Sequence, residues 1–230
     1  MVAVKQKTDV AAALREAIIG GHFMPNERLI EADLAARFRT TRAQIRNALG
    51  TLEGEGLVVS EPNRGARVRL VTGAEAVEIT EARAALEALV AAKAAERAST
   101  EDIARLEDVL ARMRTACAAG DLIGFSGLNG ELHVEIRRIA RHATASKLLV
   151  MLNSQVVRFQ FRAILIPGRA AKSLAEHEAI VDAIRSHDPG RARTAMAGHL
   201  AQVVDALRRA IVAQETPRGM GAADAALRMG

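Results

Sequence analysis

The chain has 230 residues, half of them hydrophobic, with 32 Lys+Arg against 27 Asp+Glu and a net charge of +5. That much apolar content supports a sizeable core, most simply in two domains, and excludes a disordered tail. With five Phe and no Trp or Tyr, stacking on single-stranded bases is a poor mechanism, and the single Cys117 excludes an internal disulfide.

Glu31 to Phe38 reads as a short helix, because Leu34, Ala35 and Phe38 fall at helical spacing. Thr40 or Thr41 then caps a second helix, in which Ile45, Leu49 and Leu52 form an apolar stripe. Arg42 and Arg46, four residues apart, share another face. No acid occurs between Asp33 and Glu53, whereas Arg37, Arg39, Arg42 and Arg46 all do, so a cationic surface suited to phosphates and base edges is expected. Thr41 and Gln44 stand beside these arginines and offer polar contacts.

Beyond Gly54 and Gly56, residues 57–60 and 66–71 alternate like two strands around the turn residues Pro62, Asn63 and Gly65. Arg64 falls at the hairpin tip, with Arg67 and Arg69 on the return strand. Helix, turn, basic helix and basic hairpin in that order predict a winged helix-turn-helix that binds duplex DNA.

The stretch Val10 to Val71 resembles the GntR family of bacterial transcription regulators, through LREAIIGGHFMPNERLIEADLAARF, TRAQIRNALGTLEGEGLV and the wing glycine. The resemblance implies that Thr41, Arg42 and Arg46 contact DNA and that Gly65 approaches the minor groove. Two departures stand out. Asn26 occupies a position usually held by glycine, where an asparagine also tolerates positive φ, and Ala32 replaces a common DNA-contacting arginine.

From Thr72 onward strand signals vanish, and helices are expected near 74–98, 100–118, 121–141, 146–165, 171–186 and 189–214. Ser99-Thr100, Gly120-Asp121, Pro167-Gly168 and Asp188-Pro189-Gly190 mark the breaks. The expected architecture is therefore mainly α: a winged helix-turn-helix over 1–72, an all-helical bundle over 73–214, and a flexible tail over 215–230. Cys117 reads as a small core residue of that bundle. The opening MVAVKQKTDV lacks an apolar run and no long uncharged apolar stretch occurs, so a cytoplasmic protein is expected.

Three of the six histidines have informative spacing. Asn129 and His133, four apart, share one helix face, while His177 and His199 each lie 11 residues from Asp188 in an interhelical turn. If those helices pack antiparallel, both imidazoles stand at the same height. Such donors suit Zn, Ni or Mn; each histidine taken singly reads better as an ordinary core or surface residue, and the shared spacing brings the two readings close to even. His22, His142 and His187 read as surface or turn residues.

The helical part resembles the FCD ligand-binding domain of the FadR-type branch, through EITEARAALEALVAAKAA, LNGELHVEIRRIA and SLAEHEAIVDAIRSHDPGRARTAMAGHL. That resemblance implies a divalent metal at Asn129, His133, His177 and His199, with Asn129 standing where an aspartate is usual, and a small carboxylate effector bound beside the metal. It places Arg83 near the effector cavity, although Arg83 is equally placed to pair with Glu87 along its own helix. Arg158 and Arg162 share a helix face and are further candidates for effector contact.

The expected protein is thus a homodimeric, ligand-responsive regulator on a near-palindromic operator. Two alternatives are a metal-free bundle binding an acyl-type ligand and a metal-dependent hydrolase. Against the hydrolase, no carboxylate base is evident near the histidines, since Glu178 beside His177 should point away.

Overall fold

A computed structural model describes residues 9–61 and 65–215; Pro62, Asn63 and Arg64, the residues 216–230 and the side chains of Arg158 and Arg162 lie outside the described residues. The first part contains α1 (Val10–Ile19), β1 (Arg28–Leu29), α2 (Glu31–Arg37), α3 (Arg42–Gly54), β2 (Val58–Glu61) and β3 (Gly65–Val68). The strands form an antiparallel sheet in the order β1-β3-β2, with Val58 opposite Val68 and Leu29 opposite Ala66.

The helix-turn-helix and hairpin follow the predicted pattern, and two elements add to it. Helix α1 starts where the Asp9 carboxylate accepts the Ala11 and Ala12 N–H groups, and it buries Leu14 and Ile18. The two-residue β1 is too short to show a period of its own. Asn26, with φ of 66°, makes the positive-φ turn expected of it.

Leu14, Ile18, Leu29, Ile45, Leu52 and Val58 meet in one core, which fixes α3 by its apolar stripe. Burying each such side chain contributes about 1.5–3 kcal/mol.

Six helices follow: α4 (Gly73–Arg97), α5 (Thr100–Ala118), α6 (Leu122–Ala140), α7 (Ala143–Ile164), α8 (Arg169–Arg185) and α9 (Pro189–Glu215). Predicted bounds agree within three residues. The largest difference is at α7, which begins three residues before the predicted start because the His142 imidazole accepts the Ala145 N–H at 3.2 Å and caps the turn. Helix α4 runs against α6, α7, α8 and α9, so it forms the axis of the bundle. Its buried Ala91, Ala94 and Ala95 let neighbours approach closely.

The second core collects Leu106, Met113, Phe125, Ile136, Ile180 and Met196. Cys117 packs against it, half-buried, as expected of a small core residue.

The two parts meet through a polar clamp. Gln155 on α7 donates to the Glu55 carbonyl at the end of α3 at 2.9 Å and accepts from Arg69 at 2.7 Å. Glu55 in turn holds Arg15 of α1 by two hydrogen bonds of 2.6 and 2.7 Å. Arg69, predicted on the return strand, lies just past β3 and turns inward to Gln155 and Glu75, so it serves the junction instead of the wing face.

Candidate DNA-binding surface and histidine cluster

The recognition helix α3 is held by its inner face and capped at its start. Ile45, Ala48, Leu49 and Leu52 are buried, while Thr41, Arg42, Arg46 and Asn47 are exposed. Thr41 accepts the Gln44 backbone N–H at 3.3 Å, and the Gln44 side chain accepts the Thr41 N–H, which closes a capping box. Gln44 therefore acts in the free protein as a cap, with Thr40 donating to the same amide oxygen.

Arg37 and Arg39 are exposed, and the Arg37 guanidinium lies over the Phe23 ring at 4.7 Å. Gly65 has φ of 83°, a conformation that favours glycine at the head of the wing's return strand.

Arg46 differs from expectation in one respect. Its Nε and Nη2 donate to both oxygens of Glu31 at 2.9 and 2.7 Å, although its side chain remains 70% exposed. The hydrogen bond from Arg46 holds the Glu31 carboxyl below the usual carboxylate range. The absence of acids within residues 34–52 did not reveal this, because Glu31 reaches across from α2. Asn47 was passed over by the sequence reading, yet it stands on the same outward face.

In the bundle, His133 of α6, His177 of α8 and His199 of α9 converge, with ring centroids 4.3 to 5.5 Å apart. All three are buried. Each Nδ1 is engaged by a different acceptor: Glu87 on His133 at 3.3 Å, the Ser173 carbonyl on His177 at 2.6 Å, and Glu176 on His199 at 2.7 Å. An Nδ1–H donated outward leaves Nε2 as a lone-pair acceptor pointing inward.

The Nε2 atoms of His133 and His177 are 3.2 Å apart, and the candidate ligand atoms of all three histidines lie within 4.8 Å of one another. Two nitrogens bound tetrahedrally at 2.0–2.1 Å to one ion stand about 3.3 Å apart, so the spacing suits a divalent metal.

Asn129, one turn before His133, has a buried Oδ1 with no hydrogen-bond partner. Converging acceptors and an orphaned amide oxygen are chemically complementary to a cation. The donor set therefore fits the metal that the sequence implied.

Around this cluster lies a shell that the sequence reading largely missed. Glu87 is fully buried and sits between the Arg83 Nη2 at 3.4 Å and His133. Burial works against its charge, but His133, Arg83 and Arg137 outweigh that and lower its pKa to about 2. Arg83 does pair with Glu87, as one reading held, yet its Nε and Nη1 are buried without partners. Both readings of Arg83 are thus compatible, one nitrogen being spent on Glu87 and two left over.

Arg169, also buried, binds Glu176 through two contacts of 2.8 and 3.1 Å. Glu178 points away and pairs with Arg114, as expected. The expectation of no carboxylate near the histidines needs correction, since Glu87 and Glu176 both touch them. They do so on the outer nitrogens, where a carboxylate orients an imidazole and has no direct reach to a water on the inner side.

Burial, and then the neighbouring histidines and Arg169, push the pKa of both His177 and His199 well down. A lowered folded-state value means that the unfolded chain takes up more protons below its ordinary pKa of about 6.5. Stability of metal-free protein is therefore expected to be level above about pH 6.5 and to fall as pH drops below it, by at most about 2.7 kcal/mol per pH unit for two protons. Denaturant melts from pH 8 to 5 check this, and a His177→Gln, His199→Gln double variant should show a shallower acid limb.

A winged helix-turn-helix joined to a helical bundle that buries a cluster of three histidines defines the architecture of a DNA-binding regulator. The profile of the FCD domain matches residues 78–202, over half of the chain, and that of bacterial regulatory proteins of the gntR family matches residues 6–68. The chain belongs to the GntR family of transcription regulators, with an FCD domain, and is not an enzyme.

The HTH-type transcriptional repressor RspR of Escherichia coli is 26% identical over 196 residues, covering 85% of this chain and 86% of that protein. The repressor GlaR of the same organism is 24% identical over 209 residues, covering 86% and 94%. The solved structure of E. coli McbR/YncC superposes with a TM-score of 0.74 at 21% identity, over 87% of this chain and 95% of that one, and shares its fold. No helix among the described residues is long and apolar enough to cross a membrane.

Proposed function

We propose that the protein is a ligand-responsive repressor, acting in the cytoplasm as a homodimer on a near-palindromic operator, whose DNA affinity is set by a small carboxylate bound at a metal in the helical domain. Residues 1–72 would read DNA, with Arg37, Arg39, Thr41, Arg42, Gln44, Arg46, Arg64 and Gly65 as the contacting set, and 73–214 would sense and dimerise. Asn129, His133, His177 and His199 would hold Zn, Ni or Mn. Bound there, the ion supplies a Lewis-acidic anchor for a carboxylate oxygen.

Arg83 offers two unpartnered donors to the rest of that ligand, with Arg158 and Arg162 as additional candidates. The observation that carries the reading is the convergence of His133, His177 and His199, whose candidate ligand atoms lie within 4.8 Å of one another, together with the partnerless Asn129 Oδ1.

An effector changes DNA affinity only if it binds two arrangements of the domains unequally. Helix α7 provides a physical route, since it packs in the bundle and holds the end of α3 through Gln155. Chelator-free protein is expected to carry about one divalent ion per chain by elemental analysis. Its recovery of inverted repeats from a random duplex library is expected as well. Absence of metal, with no thermal shift on adding Zn or Ni, would favour a metal-free acyl-binding bundle. Failure to recover any duplex would remove the operator reading.

A further inference from the structure

Helix α3 is fixed by one stripe of buried residues, Ile45, Ala48, Leu49 and Leu52. At about 100° per residue, the line opposite that stripe runs through Ala43, Asn47 and Gly50, all three of them exposed. Arg42 and Arg46 stand roughly 110° and 70° to one side of it. Ala43 and Gly50 project very little, and a Cβ added at Gly50 would meet no atom within 4 Å. Asn47 is therefore the side chain that stands foremost where the helix can approach a groove most closely.

Most other polar side chains of α3 are already engaged. The Gln44 amide oxygen accepts from the Thr40 hydroxyl and the Thr41 N–H, and Arg46 donates to Glu31. Glu53 accepts from the Ser60 N–H and hydroxyl at 3.0 and 2.8 Å. The Asn47 amide makes no hydrogen bond among the described residues, although its backbone carbonyl accepts the Thr51 hydroxyl at 3.1 Å.

A neutral amide gains little from phosphates, where charge decides, but it carries a donor and an acceptor side by side. Adenine presents the matching pair in the major groove, N6–H2 as donor and N7 as acceptor. Guanine shows two acceptors there, and cytosine a single donor.

We infer, on the reading of α3 as the helix that enters duplex DNA, that Asn47 reads an adenine in each half-site through N6 and N7. Its contribution is sequence preference, whereas the arginines also bring charge to the contact. Base-edge and phosphate contacts leave different marks: loss of the first erases one positional preference, and loss of the second weakens all duplexes and lowers the salt slope.

The experiment selects duplexes from a random library with full-length wild type. It then measures affinity as each A·T pair of one half-site is replaced in turn by G·C. Wild type is expected to lose about 5- to 150-fold at one such pair, the range of a bidentate base contact. Asn47→Ala should bind the selected and the replaced duplex equally at that pair, with the other preferences and the salt slope unchanged. Its fold should be retained by circular dichroism, because the side chain is exposed and alanine suits a helix better.

Asn47→Ala that keeps every positional preference of wild type overturns the inference and leaves the DNA reading of α3 standing. So does a preference lost at a G·C pair, or a uniform loss with a lower salt slope. Wild type that selects no duplex overturns both.

Discussion

His177→Ala is expected to weaken metal binding more than about 100-fold, beyond the 10- to 100-fold typical of losing an outer partner of a ligand. His177 is the member of the cluster with no exposure at all, and its ring stands 5.3 Å from His133 and 4.3 Å from His199. Removing it leaves two imidazoles and an amide, so that water, a weaker donor, must take the place of an imidazole in the shell around Zn.

The consequence is measurable as stability. An ion held at about 100 times its Kd adds about 2.7 kcal/mol to the folded state. In a chain of this size that corresponds to a rise of roughly 5–10 °C in Tm, at about 2–4 °C per kcal/mol.

Truncating a buried side chain also lowers stability through the cavity it leaves. The informative quantity is therefore the increment on adding Zn to each protein, not the Tm itself. The increment should vanish in His177→Ala. It should persist at reduced size in Glu87→Gln, which retains an acceptor for His133 but not the charge. A full increment in His177→Ala would show that Zn binds elsewhere.

How far the sequence carried toward this site follows from the range of the contacts involved. Helix ends were legible because the residues that stop and start helices are local: Ser99 caps α5 within three residues, and Asp121 caps α6 likewise. The meeting of His177 and His199 was also legible, since α8 and α9 are joined by a short turn and equal distances from Asp188 become equal heights. Glu87 on His133 was not, because the two are 46 residues apart on different helices, and Glu87 had an adequate explanation as a neighbour of Arg83.

Arg69 failed for a related reason. Alternation assigns a strand face, but β3 ends at Val68, and the next side chain turns to Gln155, 86 residues further along. Local pattern fixes elements; contacts between distant elements decide which charges remain available.

Arg46→Ala is expected to weaken binding to a selected operator duplex about 5- to 150-fold, the range for an arginine that reads a guanine edge, with the fold retained. Retention follows from exposure, because the core beneath α3 is made by Ile45, Leu49 and Leu52 on the opposite face. The Glu31 contact complicates what a loss would mean, since Arg46 would serve DNA either by leaving Glu31 or by being aimed by it. The two roles differ in sign for Glu31→Gln.

The pair is exposed, and ion pairs of that kind contribute little, so the strongly anionic duplex should displace the carboxylate. Glu31→Gln then removes a negative charge from the DNA-facing surface, and affinity for selected and unrelated duplexes should rise together, by about tenfold or less. Titrations against both duplexes at two salt concentrations check this. A fall confined to the selected duplex would instead make Glu31 the support that positions Arg46, and unchanged affinity in Arg46→Ala would remove Arg46 from the contact set.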